Sequence, residues 1–355
     1  MAMARGVTPR PLAEDAGEAT PLHRRLPGAD DFVDYPAAWY WLCAARDLDT
    51  GPLARRMLGG DVVAYRTQGG EVVVMDARCS HLGADLGRGR LVGDCIQCPF
   101  HGWRYAPNGH CVHVPQASTI PRRARQRVYP AIERHGMVFL FNGPEPLFPL
   151  PFFFGERPDE FVAGIPVAFV ADSTWSMVAA HGYDRQHFET VHSRRLHGQL
   201  LVDTPAPFAR RSRYTADVVG TAYYDRFLRR CAGATVEISI TTWGGTLVLI
   251  TGRFGRVSSR FIIALEPLEG GRTLCRVLVF AQKAGGILRR CLQPLDLRVR
   301  RHLTRAYLVD EVRSLGSPRY HTTNFSEGDR EMIEYFRWAA TLPASGYERS
   351  DATSA

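Results

Sequence analysis

Long hydrophobic runs are absent from this sequence of 355 residues. No apolar stretch approaches the ~20 residues that a membrane-spanning helix requires. The N-terminal region also lacks a charged segment followed by an apolar one, so no secretory signal is expected. The chain has no glycine fingerprint for binding a dinucleotide or a nucleotide phosphate. We therefore expect a cytoplasmic protein that binds no membrane and carries no nicotinamide or flavin coenzyme of its own.

Cysteine is sparse as well. The eight cysteines are scattered and do not form the regular pattern of a secreted disulfide framework. The net charge is +8 and comes almost entirely from arginines spread along the chain. Because no basic tract alternates with aromatic residues, nucleic acid is not an expected partner. The composition, 45% hydrophobic and 23% charged, is that of an ordinary globular protein.

The chain is predicted to contain two domains between two tails, since a typical domain has ~150 residues. A stretch rich in Pro and Phe, from Pro144 to Pro158, marks the boundary between them. The predicted segments are a flexible tail at 1–30, an all-β domain at 31–146, a second domain at 147–345 and a short tail at 346–355. Two cores of this size need no disulfide staples.

Glycine pairs and apolar patterns predict the elements. In the first domain, strands 61–66 and 71–76 flank Gly69-Gly70 as a β-hairpin. In the second domain, Gly-Gly pairs join strand 235–243 to 246–254 and strand 260–265 to 273–280. Helices are predicted at 175–187, where Asp172-Ser173-Thr174 offers a cap, at 295–315 and at 328–340. The second domain is therefore predicted to be α+β, with an antiparallel sheet and helices.

Two Cys-His pairs form the strongest motif. They are Cys79-Ser-His81 and Cys98-Pro-Phe-His101. Structural zinc sites more often combine Cys-x2-Cys with paired His, although a zinc knuckle is the alternative here. In a Rieske centre, two thiolates hold one iron and two imidazoles hold the other. Each loop must then supply one Cys and one His, which explains the pairing.

The segments 79–86 (CSHLGADL) and 98–103 (CPFHGW) resemble the two cluster-binding loops of Rieske proteins. The resemblance implies that a [2Fe-2S] cluster is held by Cys79, His81, Cys98 and His101. The other cysteines are expected to be small buried apolar residues.

A second constellation contains Asp184, His187 and His192. Five helical steps of ~100° turn the chain by about 500°, so the two histidines do not share a face of a straight helix. They converge on one metal only if the helix ends or unwinds between them. Two histidines and a carboxylate are the ligands that O2-activating non-haem Fe(II) enzymes use.

The pattern Asp-x2-His-x4-His after a Rieske loop pair resembles the catalytic iron motif of Rieske non-haem iron oxygenases. The resemblance covers about residues 35–340. It implies that His187, His192 and Asp329 hold a mononuclear Fe(II), with Glu327 and Glu331 as alternatives to Asp329. An acidic residue at a helix start is also favoured by the helix dipole alone, which is a competing explanation for Asp329.

Asp184 matches the carboxylate that links the two metal centres in this family. The resemblance implies that it joins His187 to His101 of a neighbouring subunit, and hence that the protein is a homotrimer. The chain departs from the family at Ala180-His181, where Glu-Asn is frequent. His181 either hydrogen-bonds an iron ligand or lines the substrate pocket, or it is a packed structural residue.

The resemblance implies a terminal oxygenase, with the second domain built as a helix-grip fold. It would use O2, and electrons from NAD(P)H delivered by a separate ferredoxin or reductase, to hydroxylate, dealkylate, desaturate or cyclise an apolar or aromatic small molecule. In length and single-component layout it resembles the monooxygenase, demethylase and oxidative cyclase members more than the ring dioxygenases that carry a small β subunit, and the choice between monooxygenation and dioxygenation stays open. The alternative is a Rieske electron-transfer protein with no catalytic iron.

Two groups of residues each have two alternative roles. Four arginines just beyond the cluster loops would either dock an acidic ferredoxin or form a solvated loop; they are Arg122, Arg123, Arg125 and Arg127. Apolar residues of the second domain would either line the substrate pocket or pack in the core; they are Trp243, Phe254, Phe261 and Ile263.

Overall fold

The computed structural model describes residues 26–346. The predicted tails, 1–30 and 346–355, lie almost wholly outside the described residues. Backbone contacts divide the chain into two compact units. Among the described residues, the first unit contains 37–150, 266–269 and 344–346, and the second contains 26–36, 151–265 and 270–343. The predicted domain boundary at 146–147 stays a prediction. Within the described residues, no helix is both long enough and apolar enough to cross a bilayer.

The first unit is built almost entirely from short antiparallel strands. Its strands are β1 (Trp39–Ala44), β2 (Leu53–Met57), β3 (Gly60–Arg66), β4 (Val72–Asp76), β5 (Arg90–Val92), β6 (Cys95–Gln97), β7 (Arg104–Tyr105), β8 (Cys111–His113), β9 (Val128–Tyr129), β10 (Ala131–Arg134) and β11 (Met137–Phe141). They form three small sheets, in the orders β1-β11-β10, β2-β3-β4-β9 and β5-β6-β7-β8. The predicted hairpin is confirmed, because β3 pairs with β4 across the Gly69-Gly70 turn.

The core of this unit includes the two candidate thiols. Cys79 and Cys98 are 3% and 2% exposed, and they belong to the same apolar cluster as Val63, Tyr65, Met75, Leu86, Ile96 and Tyr105. The loops that carry the motif are thus anchored by burial of their own cysteines.

The second unit contains one large antiparallel sheet and five α-helices. Its strands are β12 (Phe161–Ala163), β13 (Val167–Ala171), β14 (Arg194–Ala206), β15 (Ala209–Val218), β16 (Thr235–Trp243), β17 (Leu247–Phe254), β18 (Ser258–Leu268) and β19 (Arg272–Gln282). The helices are α1 (Trp175–Ala180), α2 (Arg185–Thr190), α3 (Tyr223–Cys231), α4 (Ile287–Leu315) and α5 (Arg330–Ala339). The sheet order is β12-β19-β18-β17-β16-β15-β14, and β13 also pairs with β19. The predicted fold class, an all-β domain followed by an α+β domain with a long helix, is confirmed.

Two predicted helices differ from the observed ones. The single helix predicted at 175–187 is wrong, because α1 ends at Ala180 and a short 3-10 turn leads to an extended Asp184 before α2 begins. Helix α4 begins at Ile287, eight residues before the predicted start at 295, and it continues through Pro294. A proline inside a helix removes one backbone hydrogen bond of that helix.

The turn between β16 and β17 offers a test of local packing. Gly245 has φ +79°, and a Cβ added there would lie 2.4 Å from Cζ3 of Trp175. We expect Gly245→Ala to lower the free energy of unfolding by about 1–3 kcal/mol, because it combines an unfavourable φ with a clash. Urea unfolding checks this. Gly255→Ala is the matched control, since its added Cβ meets nothing within 4 Å; an equal effect in both variants would contradict the explanation.

Candidate metal centres and cavity

The two Cys-His loops have the same backbone design. In each loop, the cysteine amide donates to the carbonyl five residues later, and the amide four residues later donates back to the cysteine carbonyl. The distances are 2.9 and 2.8 Å for Cys79 with Ala84 and Gly83, and 2.8 and 3.2 Å for Cys98 with Trp103 and Gly102. Both glycines have φ near +70°, which glycine adopts at little cost. The repeated design presents one cysteine and one histidine on each loop, with the histidine two residues after Cys79 and three residues after Cys98.

The four candidate ligands lie together, with sulfur inside and imidazole outside. The Cys79 and Cys98 thiols are buried, whereas His81 and His101 are exposed. The two imidazole centroids are 4.9 Å apart. Trp103 stacks on His81 at 4.4 Å with an interplanar angle of 5°, so it fixes the orientation of that ring.

Tyr105 supports one of the thiols. Its hydroxyl lies 3.0 Å from Cys79 Sγ and 3.0 Å from Ser80 Oγ. Burial raises the pKa of the Cys79 thiol, and the Tyr105 hydroxyl opposes that shift by stabilising the thiolate. Two buried sulfurs and two converging imidazoles form the donor set of a [2Fe-2S] cluster, in which each iron takes only two protein ligands. The residues present therefore fit this cluster.

The arginines after these loops are mostly exposed. Arg122, Arg123 and Arg125 are exposed, whereas Arg127 is partly buried with its Nε 3.8 Å from Asp76 Oδ2. Three of the four predicted docking cations thus face solvent.

The second candidate centre is formed where the helix breaks. Asp184 is the N-cap of α2, and its Oδ1 accepts a hydrogen bond of 3.0 Å from the His187 backbone amide. Helix α2 ends at Thr190, so His192 lies beyond it. Because the helix ends between His187 and His192, two histidines five residues apart can converge.

His187 and His192 converge closely. Their Nε2 atoms are 3.1 Å apart, with the rings at 90° to each other. The side chains are buried, at 5% and 3% exposure. Two buried imidazole nitrogens that point at one another are suited to share one divalent cation, because neutral imidazole binds iron through such a nitrogen. The pair therefore fits two of the three protein ligands of a non-haem iron.

Each of the two histidines is stacked against a further ring. His181 stacks on His187 at 4.8 Å and 18°, and Tyr307 stacks on His192 at 4.0 Å and 10°. His181 is buried and lines the same cavity as the pair. His181 is thus both packed and part of the cavity wall, and its predicted hydrogen bond to an iron ligand stays a prediction.

The predicted third ligand lies apart from this pair. Asp329 Oδ2 accepts hydrogen bonds from the amide and the hydroxyl of Ser326, at 2.7 and 2.8 Å. Across residues 26–346, no three His, Cys, Asp or Glu side chains are grouped closely enough to hold a metal ion. Asp329 as a ligand, with Glu327 and Glu331 as alternatives, stays a prediction.

A buried ion pair contacts the backbone of His192. The Arg194 Nη1 atom donates to the His192 carbonyl at 2.6 Å and to Asp225 Oδ1 at 2.8 Å. The Arg194 and Asp225 side chains are 3% and 2% exposed. Ser193, between the two residues, has φ +51°. Sequence reasoning missed this pair, since no local motif relates Arg194 to a residue on α3.

One face of the large sheet and helix α4 enclose a cavity of about 570 Å³. Two neighbouring strands line it with every second residue, as alternation along a strand predicts; these are Val236, Ile238 and Ile240 on β16, and Val248, Ile250, Gly252 and Phe254 on β17. His187 and His192 are part of its wall. Phe254, Phe261 and Ile263 line it as considered from the sequence, but Trp243 does not and instead stacks on Phe154 at 6.0 Å.

The chain has a small β unit with paired Cys-His loops, followed by a sheet and a long helix around a cavity with two convergent histidines. This combination defines a Rieske-type oxygenase. The family model "Rieske [2Fe-2S] domain" matches residues 38–130. Aminopyrrolnitrin oxygenase PrnD of Pseudomonas fluorescens is 31% identical over 300 residues, which cover 76% of this chain and 81% of that protein. The chain therefore belongs to the Rieske non-haem iron oxygenase family.

Other relatives match over a shorter range. A 3-ketosteroid-9-alpha-monooxygenase oxygenase component of Rhodococcus rhodochrous is 38% identical over 118 residues, or 33% of this chain and 31% of that protein. Cholesterol 7-desaturase of Xenopus laevis is 41% identical over 123 residues, or 33% and 27%. Apo dicamba monooxygenase shares the fold, with a TM-score of 0.63 over 86% of this chain and 95% of that one, at 18% identity.

Proposed function

We propose that this oxygenase oxidises a neutral, largely apolar small molecule at a mononuclear Fe(II) held by His187, His192 and Asp329. The observation that carries the proposal is the 3.1 Å approach of the two histidine Nε2 atoms in the wall of an apolar cavity. When bound there, Fe(II) supplies the site at which O2 is activated. The cavity volume, about 570 Å³, falls within the range of small-molecule sites.

The charges around the cavity support a neutral substrate. Arg194 is paired with Asp225, Arg260 with Glu156, and Arg300 with Asp296. The remaining charged residue of the described cavity lining, Asp172, accepts hydrogen bonds from Ser317 and Arg319. Because each charge already has a partner of opposite sign, an ionic substrate would have to displace an existing pair. A neutral molecule avoids that cost.

Electrons are proposed to enter through a cluster held by Cys79, Cys98, His81 and His101. The exposed side of this cluster site includes Leu82 and Phe100, which are 66% and 63% exposed. Exposed apolar residues beside exposed cluster imidazoles suit contact with another protein chain. We propose that two partners contact this side of the cluster site. One is a neighbouring subunit of a homotrimer, through its Asp184, and the other is a ferredoxin or reductase.

Asp184 has a structural role that suits this proposed link. As the N-cap of α2 it is held three residues before His187, and its side chain is partly exposed. A carboxylate fixed in this way can orient an imidazole that reaches it from outside. The exposed Arg122, Arg123 and Arg125 would favour an acidic electron donor, because opposite charges steer association.

The proposal is tested on the full chain purified without oxygen. We expect the two irons and two labile sulfides of a [2Fe-2S] cluster, together with one further iron per chain. After chemical reduction, O2 should reoxidise the cluster faster when a neutral apolar substrate occupies the cavity. The proposal would be contradicted if the protein held only the cluster iron after incubation with Fe(II), and if neither neutral apolar nor anionic compounds changed the rate of cluster reoxidation. That result would favour an electron carrier. Acceleration by anionic compounds only would contradict the substrate class.

A further inference from the structure

Three tyrosines connect the proposed metal ligand His192 with the protein surface. Tyr307 stacks on the His192 imidazole at 4.0 Å, and the Tyr307 ring lies 6.5 Å from that of Tyr224. The Tyr224 ring in turn lies 5.7 Å from that of Tyr223. The buried metal site and the surface are thus linked by a series of aromatic rings with no aliphatic residue between consecutive members.

The outer end of this series is suited to lose an electron and a proton together. Tyr223 is 51% exposed, and its hydroxyl lies 3.0 Å from Nε2 of the exposed His302. A phenol gives up an electron far more easily when its proton can move to a base, and neutral imidazole is such a base near neutral pH. Tyr223 and His302 thus place a phenol and a base at hydrogen-bond distance on the surface.

The positive charge of Arg194 near the Tyr307 ring is balanced by Asp225, so it does not oppose oxidation of Tyr307. The Arg194 guanidinium lies 5.6 Å from the centre of the Tyr307 ring, but Asp225 lies 2.8 Å from the same guanidinium. A neighbouring route from His192 passes through Phe188 to Tyr214. Phenylalanine has no ionisable proton and is much harder to oxidise, so this second route is interrupted at its first ring.

We propose that Tyr307, Tyr224 and Tyr223 carry oxidising equivalents from the metal site to the surface when O2 is activated with no substrate in the cavity. This inference rests on the proposed iron site, where O2 supplies the oxidant. One electron passes from the Tyr223 phenol through Tyr224 and Tyr307 to that oxidant, and the phenolic proton moves to Nε2 of His302. The tyrosyl radical then takes a hydrogen atom from a soluble thiol, and His302 releases its proton to water. The metal ligands are thereby spared from oxidation.

The experiment uses the full chain with iron bound and the cluster reduced, exposed to O2 without substrate in the presence of a nitroso spin trap. Peptide mass spectrometry then locates the trapped radical. We expect it on Tyr223 in the wild type. In Tyr224→Phe, the Tyr223 adduct should fall to the level of the Tyr223→Phe variant, while oxidation of Tyr307 and His192 rises.

Two controls test this assignment. Tyr214→Phe should keep the wild-type adduct at Tyr223, because Tyr214 is off the series. Metal-free protein treated with hydrogen peroxide should show no Tyr223 adduct. An undiminished adduct in Tyr224→Phe, or one in the metal-free protein, would overturn the inference. If iron is bound and O2 is consumed but no Tyr223 adduct forms, the inference fails while the proposed function stands; absence of the further iron would instead defeat the proposed function.

Discussion

Replacing His187 and His192 together by alanine should remove one iron per chain and leave the [2Fe-2S] cluster in place. The two imidazoles converge at 3.1 Å between their Nε2 atoms, so the double variant removes two of the three proposed ligands. The cluster loops belong to the other compact unit and keep their own anchoring bonds. Iron and labile sulfide analysis, with the visible spectrum of the cluster, measures both outcomes. Substrate oxidation should fall to background.

The control for this variant is His197→Ala, which lies on β14 of the same unit. His197 is 47% exposed and contacts Asp217, so its loss should leave the iron content unchanged. His181→Ala is a graded test, since His181 stacks on His187 without joining the convergent pair. We expect it to keep the iron. Retention of the further iron in the double variant would show that another site holds it.

The cluster site was largely predictable because its information is local. Each loop carries its Cys, its His and the glycine whose positive φ allows the return bond within five or six residues. A short segment that contains its own anchoring bonds needs little help from distant residues. The hairpins were predictable for the same reason, since Gly244-Gly245 and Gly270-Gly271 all have positive φ.

The second site was less predictable because its geometry depends on a break in a helix. Gly182 and Asp184 are compatible with a break, since glycine disfavours a helix and aspartate favours an N-cap, but the residues at 176–180 and 185–190 also suit one continuous helix. The stacking of Tyr307 on His192 joins residues more than a hundred positions apart. Such contacts depend on how α4 packs against the sheet, and a single sequence carries no periodic signal for them.

The same limit applies to α4 itself. Helix α4 continues on both sides of Pro294, although the predicted helix began at residue 295. Pro294 is exposed, as are Leu292 and Leu295, so burial does not explain why the helix continues through the proline. Val299, Leu303 and Tyr307 of this helix face the cavity. The residues that enclose the substrate are therefore set by packing that the local pattern does not reveal.

Replacing Asp225 by asparagine should lower the free energy of unfolding by about 3–5 kcal/mol, because it leaves the buried Arg194 guanidinium without its counter-charge. The pair is almost completely buried, and asparagine keeps the shape of the side chain against Gly220. Urea unfolding measures the effect. Asp203, which pairs with Arg213, provides the control: Arg213→Met breaks a pair in which both side chains are partly exposed and should change stability far less.

The double variant Arg194→Met/Asp225→Asn distinguishes the effect of an unpaired buried charge on stability from the effect of the Arg194 hydrogen bond on the position of His192. Removing both charges eliminates the unpaired buried guanidinium, so most of the lost stability should return. The hydrogen bond from Arg194 to the His192 carbonyl is still missing in the double variant, however. The turn at Ser193 therefore loses one of its constraints. We therefore expect the double variant to fold well but to bind Co(II), used as a spectroscopic substitute for Fe(II), more weakly than the wild type. Equal Co(II) affinity in both proteins would mean that the pair stabilises the fold without positioning His192.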